Sequence, residues 1–378
     1  MNGSKIEKKD EESELKAAIV GCGTMGRMHA QAYVRLKGVR LAAVCDVSQE
    51  ASSAFAEQFR CSRYGSLREM LLAEKPDVLS VCLPTPLHSP AVRTAAELGV
   101  HVICEKPLAG NLQEAEEMIA FCRKRDVRLF VGQVVRFFPS YRNLTETVRS
   151  GAIGAVGVAH TKRIGPHPAA AKPWYGQDEL SGGVILDLLV HDIDYMRGLL
   201  GDPHTVFAMR RVNKGIDYAL VTLTFENGSM ANLEGMWGYP GPFSTSVELG
   251  GSGGVALLDS SASRSVEIRR MPGTMNVDKS DIAAKEAAAK NQAAKEHAAN
   301  AVALPELPAY DDPYGLELEH FLSCIRSGET PLVTAEDAAA AVKIAEAALH
   351  SARSGRPIDL RRWQAQAPAK KEGLECES

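Results

Sequence analysis

At 378 residues the chain exceeds what one hydrophobic core usually supports, so two domains are expected. A composition of 45% hydrophobic and 24% charged residues with a net charge of −4 is ordinary for a globular protein, and it excludes a basic nucleic-acid or membrane-surface binder. No run approaches the roughly 20 apolar residues of a membrane helix, and the first fourteen residues, MNGSKIEKKDEESE, form a charged tail, expected to be disordered, without the apolar stretch of a signal peptide.

LKAAIV (15–20) leads into GCGTMG (21–26), a helical stretch, and VRLAAVCD (39–46): strand, turn, helix, strand, the βαβ unit of a parallel sheet. Helices are predicted over 48–59, 66–74, 89–98 and 111–125, alternating with the apolar runs DVLSVCLP (77–84), VHVICEKP (100–107) and RLFVGQV (128–134). Five short buried strands among helices predict a doubly wound Rossmann domain over 15–134. A helix over 139–150 ends at Gly151, and the alternating segments that follow, from VGVAHTKRI to SVEIRR, predict an open, mostly antiparallel sheet with one face covered. The whole is α/β, with an α+β domain over 135–360 in which the interrupting segment 180–200 has helical periodicity. DIAAKEAAAKNQAAKEHAAN (281–300) has the composition of a helical spacer and reads as an exposed helical insertion. A closing helix over 335–354 opens at the N-cap Thr334 and stops before Gly355, and a tail covers 361–378. The eight cysteines are scattered without a CxxC pair, and several lie in apolar runs, which reads as reduced thiols in a cytoplasmic protein.

GCGTMG fits GxGxxG and follows a strand while opening a helix. Gly21 permits the tight turn, Gly23 lets backbone amides approach a pyrophosphate, and Gly26 allows helix to pack on sheet, with Thr24 and Met25 in the first turn facing the phosphates. Asp46, twenty residues after Gly26, would accept hydrogen bonds from ribose hydroxyls and repel a 2′-phosphate, favouring NAD over NADP; the plain alternative is a strand-end helix cap. In PTPLHS (84–89), Pro84, Thr85 and His88 would pass under the adenosine or diphosphate, although the prolines equally suit an ordinary turn. The fourth apolar run ends at Glu105-Lys106-Pro107, where the lysine is aimed at the crevice beyond the strand ends and an X-Pro bond is open to the cis form.

DLLVHDIDYM (187–196) sets polar groups inside an apolar run. On a helix Asp187 and His191, at i and i+4, share one face, with Asp194 nearby, and such a stripe should border a cavity. Asp194 reads as a structural hydrogen-bond partner and Asp192 as pointing to solvent. The alternative is that Asp187 pairs locally and His191 is a satisfied interior histidine.

Taken in order and spacing, GCGTMG with Asp46, PTPLHS, ICEKPLA, VGQVVRFFPSY, WYGQDELSGG and DLLVHDID resemble the Gfo/Idh/MocA family of NAD(P)-dependent sugar and inositol dehydrogenases, over residues 16–360 apart from 281–300. The resemblance implies a Rossmann domain, a second domain whose open sheet makes the contacts of a homodimer or homotetramer, and a site of Lys106, Asp187 and His191 at the nicotinamide ring, with Glu105 beside it. The implied substrate is a small polyol or sugar, with no metal and no nucleic acid. His191 would act as general base and acid, Lys106 would stabilise a developing alkoxide, and Asp187 would hold a hydroxyl or orient its charged neighbours. Arg136 would reach the cleft or form an interdomain ion pair; Trp174, followed by Tyr175, would cover the sugar face; His167 would contact substrate from a loop. The family often has a polar residue a few positions before the arginine, where this chain offers Gln133, Val134 and Val135. Two other readings use the same residues. One is a metal-dependent lyase or hydrolase with Asp187, His191 and His167 as ligands. The other is an NAD-binding sensor, which would be expected to lack the lysine or the histidine.

Overall fold

Continuous apolar runs make the first sheet. In the computed structural model, which describes residues 14–261, 267–270, 301–303 and 312–364, its strands are β1 (Leu15–Val20), β2 (Val39–Cys45), β3 (Ser62–Tyr64), β4 (Val78–Val81), β5 (His101–Glu105) and β6 (Leu129–Gly132). They are parallel, in the order β3-β2-β1-β4-β5-β6. Every residue of β4 is buried, as expected of a strand covered on both faces. The sequence predicts five strands and the sheet has six. The one missed, β3, is a three-residue, largely exposed edge with no apolar run to mark it.

Between these strands lie α1 (Thr24–Arg35), α2 (Gln49–Phe59), α3 (Leu67–Glu74), α4 (His88–Glu97) and α5 (Leu112–Arg123). α2, α3 and α5 begin where a side chain can take an orphan amide: Ser48, Ser66 and Asn111 each accept a backbone N–H from their own first turn. α1 begins at Gly23, which offers no side-chain cap. The strand order reverses between β1 and β4, so the crevice at their carboxyl ends is where an open α/β sheet binds its ligand.

After α6 (Pro139–Arg149) the chain builds a second sheet from β7 (Val156–Gly165), β8 (Pro203–Asn213), β9 (Ile216–Phe225), β10 (Met230–Trp237), β11 (Ser244–Gly251), β12 (Gly254–Asp259), β13 (Glu267–Arg270), β14 (Ala301–Ala303) and β15 (Ile358–Asp359). Their order is β14-β13-β12-β11-β7-β10-β9-β8-β15, antiparallel except for the β7–β10 pair. Alternation decides the faces: Ala219, Val221, Leu223 and Phe225 of β9 are buried, while Tyr218, Leu220, Thr222 and Thr224 are partly exposed on the other side.

The predicted helix over 180–200 is broken. A single turn, α7 (Asp178–Ser181), stops at Gly182, a π-helical turn spans Val184–Leu188, and α8 (Val190–Leu200) follows. Gly182 (φ 68°) and Gly183 (φ 62°) cause the break, since both are in the left-handed region. Two helices then tie the sheets together. α9 (Pro313–Ser327) packs on α1, and its Phe321 stacks on Phe130 of β6 with ring centres 4.9 Å apart. α10 (Ala335–Ser354) starts at a reciprocal capping box between Thr334 and Asp337, ends at left-handed Gly355, and packs its alanines between α5, α8 and β8. The 281–300 insertion, residues 1–13 of the N-terminal tail and the C-terminal tail beyond 364 lie outside the described residues. No helix among the described residues is long and apolar enough to cross a membrane.

Candidate active site

The glycine turn is shaped by three different constraints. At Gly21 (φ 99°) a Cβ would lie 2.5 Å from the Cys82 carbonyl oxygen, and at Gly26 it would lie 2.0 Å from the Gly21 carbonyl oxygen, so both positions are closed by the protein's own backbone. Gly23 is different: a Cβ there would meet only the Lys172 ammonium, at 3.8 Å. Its lack of a side chain leaves the uncapped first turn of α1 open, as close approach of a diphosphate requires. Asp46 Oδ2 accepts the Cys22 amide at 2.7 Å and Oδ1 accepts the Ser48 amide at 2.8 Å. The carboxylate is thus fixed beside the turn, and each oxygen keeps acceptor capacity for a ribose hydroxyl. These residues fit a dinucleotide.

Beneath the neighbouring strand end runs a buried polar chain. Tyr33 and Ser80 hydroxyls are 2.7 Å apart, Ser80 is 3.0 Å from His29 Nδ1, and His29 Nε2 is 3.1 Å from Glu105 Oε1. Burial works against the charged imidazole of His29, and the neighbouring Cys82 and Glu105 outweigh it, lifting its pKa to about 10. Glu105 Oε2 accepts the Lys106 amide at 3.2 Å, so Glu105 faces the protein interior and holds the lysine's backbone. The Lys106–Pro107 peptide is cis. The Lys106 ammonium donates to the Asp187 main-chain oxygen at 2.8 Å and to its Oδ1 at 3.3 Å.

Asp187 sits in the π turn, where the Leu189 amide reaches back five residues to the Val184 carbonyl at 2.9 Å. That turn is fixed at its start: Asp217 Oδ2 accepts the Val184 amide at 2.9 Å, and Arg210 clamps Asp217 and Asp178 through bonds of 2.6–2.7 Å. His191 follows in the first turn of α8, with Nδ1 buried and without a hydrogen-bond partner among the described residues. Burial first, then the positive charges of Lys106 and Arg163, hold its imidazole well below the ordinary pKa of 6.5. It is therefore neutral at physiological pH, within electrostatic reach of Lys106 and four residues along the chain from Asp187.

Residues 15–133 match an oxidoreductase family described by its NAD-binding Rossmann fold, and residues 145–360 match that family's C-terminal alpha/beta domain. The chain belongs to the Gfo/Idh/MocA oxidoreductase family. A D-apiose dehydrogenase of Paraburkholderia graminis is 29% identical over 94% of this chain and 92% of its own length. A myo-inositol 2-dehydrogenase of Thermotoga maritima is 27% identical over 92% of this chain and 98% of its own length. The solved structure of an Agrobacterium radiobacter oxidoreductase in complex with NAD+, L-tartaric acid and magnesium shares the fold, with a TM-score of 0.77 at 24% identity over 92% of this chain and 99% of that one.

Within this Gfo/Idh/MocA chain some residues take a structural role that the sequence allows them and others fall where it does not put them. Arg136 takes the second of its two expected roles: it donates to Asp194 Oδ2 and Oδ1 at 2.7 Å each and to its main-chain oxygen at 3.1 Å, an ion pair between the Rossmann edge and α8. Burial lifts the Asp194 carboxyl to about 6 against the pull of Arg136, still ionised at neutral pH. Asp192 does not point to solvent: it is buried and accepts Arg163 Nε at 2.6 Å. An expectation of solvent at that position follows from ideal helical spacing, and the π turn rotates α8 away from it. His88 is buried, with Nδ1 3.0 Å from the Pro107 carbonyl and Nε2 2.9 Å from the Leu83 carbonyl, so its ring staples the third-strand turn to the Lys106–Pro107 loop. Thr85 is buried beside it and Pro84 is partly exposed.

The loop after β7 carries the aromatics. Trp174 stacks on Tyr175 at 3.9 Å, Tyr175 meets Trp237 edge-on at 5.6 Å, and His167 lies 5.3 Å from Trp237 while its Nδ1 accepts the Ala169 amide at 3.1 Å. Burial, then the charges of Asp187 and Glu105, raise the Tyr175 hydroxyl's pKa. Sequence reasoning missed Lys172, Arg210 and Asp217. Only the Gly-Gly pair hinted at the last two: a Cβ at Gly183 would lie 1.9 Å from Arg210 Nη2.

Proposed function

We propose that the protein is an NAD-dependent dehydrogenase that oxidises a secondary hydroxyl of a cyclic polyol or sugar. The observation that carries this reading is the Lys106–Asp187 pair at the end of β5, with a neutral His191 in its electrostatic field. The cofactor, when bound, supplies the hydride acceptor; the chain's own residues handle the proton and the charge. An ammonium has three donors, and two of those on Lys106 are taken by Asp187, which leaves one for the substrate oxygen. His191, already deprotonated, takes the hydroxyl proton. As that oxygen gains negative charge, the Lys106 ammonium stabilises it in a partly buried setting where such attraction is strong. Asp187 keeps the ammonium in place. The apiose and inositol dehydrogenases among the relatives support a polyhydroxylated substrate.

Asp46 supports NAD over NADP, since a 2′-phosphate would meet a fixed carboxylate. We also assign a homodimer or homotetramer contact to the outer face of the second sheet, where Met209 and Met230 are 54% and 47% exposed. The metal reading loses its third ligand to the Ala169 amide and Trp237, against which His167 is held. The decisive assay follows absorbance of the reduced cofactor with NAD and NADP in parallel across inositols, free sugars, sugar phosphates and nucleotide sugars. Reduction of NAD with one stereochemical group of polyols is the expected result. NAD binding by calorimetry with no turnover on any of them would favour the sensor.

A further inference from the structure

Lys172 reaches from the second domain to the glycine turn of the first. It lies between two short 3-10 turns, Pro168–Ala170 and Pro173–Gly176, and its backbone is fixed on both sides: its amide donates to the Pro168 carbonyl at 3.0 Å and its carbonyl accepts the Tyr175 amide at 3.1 Å. Among the described residues, apart from Gly23's chain neighbours and its own helix backbone, its ammonium is the only group within 4 Å of the space a Gly23 side chain would fill. Among the described residues that half-buried ammonium has neither an ion pair nor a hydrogen bond. An uncapped helix start faces the same space. A cation held there without a carboxylate, next to orphan amides and a glycine whose missing side chain leaves room, is complementary to an anion.

We infer that Lys172 is a cofactor-binding residue that donates to the diphosphate from across the cleft, so that the cofactor straps the loop carrying Tyr175 onto the Rossmann domain. This rests on the dehydrogenase reading above and adds to it a contact from the second domain. One anion then receives the amides of α1 from one side and the lysine from the other. Since the Tyr175 amide is bonded to the Lys172 carbonyl and Trp174 stacks on Tyr175, holding Lys172 also holds these two aromatics, and substrate should bind better after cofactor than before it.

The test is calorimetry with NADH, ADP-ribose and adenosine on the intact protein, comparing the unmodified chain with Lys172→Met and Lys172→Arg. A charge-assisted hydrogen bond to phosphate corresponds to about tenfold or more in affinity. Lys172→Met should therefore lose about that factor for NADH and for ADP-ribose, lose nothing for adenosine, and show a flatter dependence on salt. Lys172→Arg should recover most of the loss. NADH and ADP-ribose affinities within twofold of the unmodified protein would overturn the inference while leaving the cofactor site standing. Equal losses for all three ligands would overturn it too, by showing that the substitution only damages the loop. Failure of the unmodified protein to bind NADH would remove the dehydrogenase reading and the inference with it.

Discussion

Lys106 holds Asp187 twice, through the main-chain oxygen at 2.8 Å and the carboxylate at 3.3 Å, so a single side chain ties the end of β5 to the π turn of the second domain. Both side chains are largely buried, at 16% and 10% exposure, and removing one charge strands the other. Lys106→Met should keep NADH affinity, because the glycine turn and Asp46 are untouched, and should lower turnover at least about a hundredfold through loss of charge stabilisation. Steady-state rates paired with calorimetry check this; unchanged turnover would take Lys106 out of the chemistry.

His191 gives a pH signature. Its imidazole is held well below 6.5 by burial and by Lys106 and Arg163, and a base must be deprotonated to work. Activity in the oxidation direction should therefore fall only as pH drops well below 6.5, staying flat through neutrality on that limb. In Lys106→Met one of the two repelling charges is gone, so the residual activity should lose its acid side at higher pH. His191→Asn should cost about a hundredfold or more and leave NADH binding intact. A limb that stays in place in the lysine variant would sink the electrostatic coupling.

Cofactor choice should turn on Asp46, but with a constraint that spacing alone hides. Its Oδ2 anchors the Cys22 amide, so a small residue there would loosen the glycine turn along with the preference. Asp46→Asn keeps an acceptor for that amide while removing the charge, and Val47, 98% exposed, is free to become arginine. The double variant Asp46→Asn, Val47→Arg should gain NADP use and lose NAD affinity by about tenfold or more, read from kcat/KM for the two cofactors. If the unmodified protein already prefers NADP, the role given to Asp46 is wrong.

What the sequence reveals and what it hides divides along physical lines. The alternation of apolar runs with helices exposes the Rossmann sheet because a doubly covered strand must be apolar throughout, as β4 is. It hides β3, whose residues are held by pairing with β2 rather than by burial. Lys106, Asp187 and His191 are legible as polar groups where the pattern demands apolar ones. Their surroundings are not: the pairing of Arg136 with Asp194 spans 58 residues, that of Arg163 with Asp192 spans 29, and no local spacing rule connects such positions. The π turn is equally hidden, since ideal periodicity assumes 3.6 residues per turn and the extra residue comes from Gly182, Gly183 and their clamp by Asp217 and Arg210.

Glu317 of α9 predicts an unusual pH dependence of stability. The residue has no solvent exposure, and neither of its carboxyl oxygens has a hydrogen-bond partner among the described residues. Burial first, and then the charges of Glu105 and Asp194, push its pKa well above 4.5. The folded protein thus keeps a proton there that the unfolded chain releases once pH exceeds about 4.5. Because the native state binds the extra proton, this site's contribution to stability is complete below that pH and is lost as pH rises toward the folded pKa. Glutamine has the shape of the protonated acid and does not titrate, so Glu317→Gln should match the unmodified protein near pH 4.5 and exceed it increasingly toward pH 8. For a chain of this size each kcal/mol recovered appears as roughly 1 °C in Tm. The other titrating groups, Asp194 included, are common to both proteins and cancel in the difference. A Tm difference that does not change between those two pH values would show that Glu317 is not carrying a buried proton.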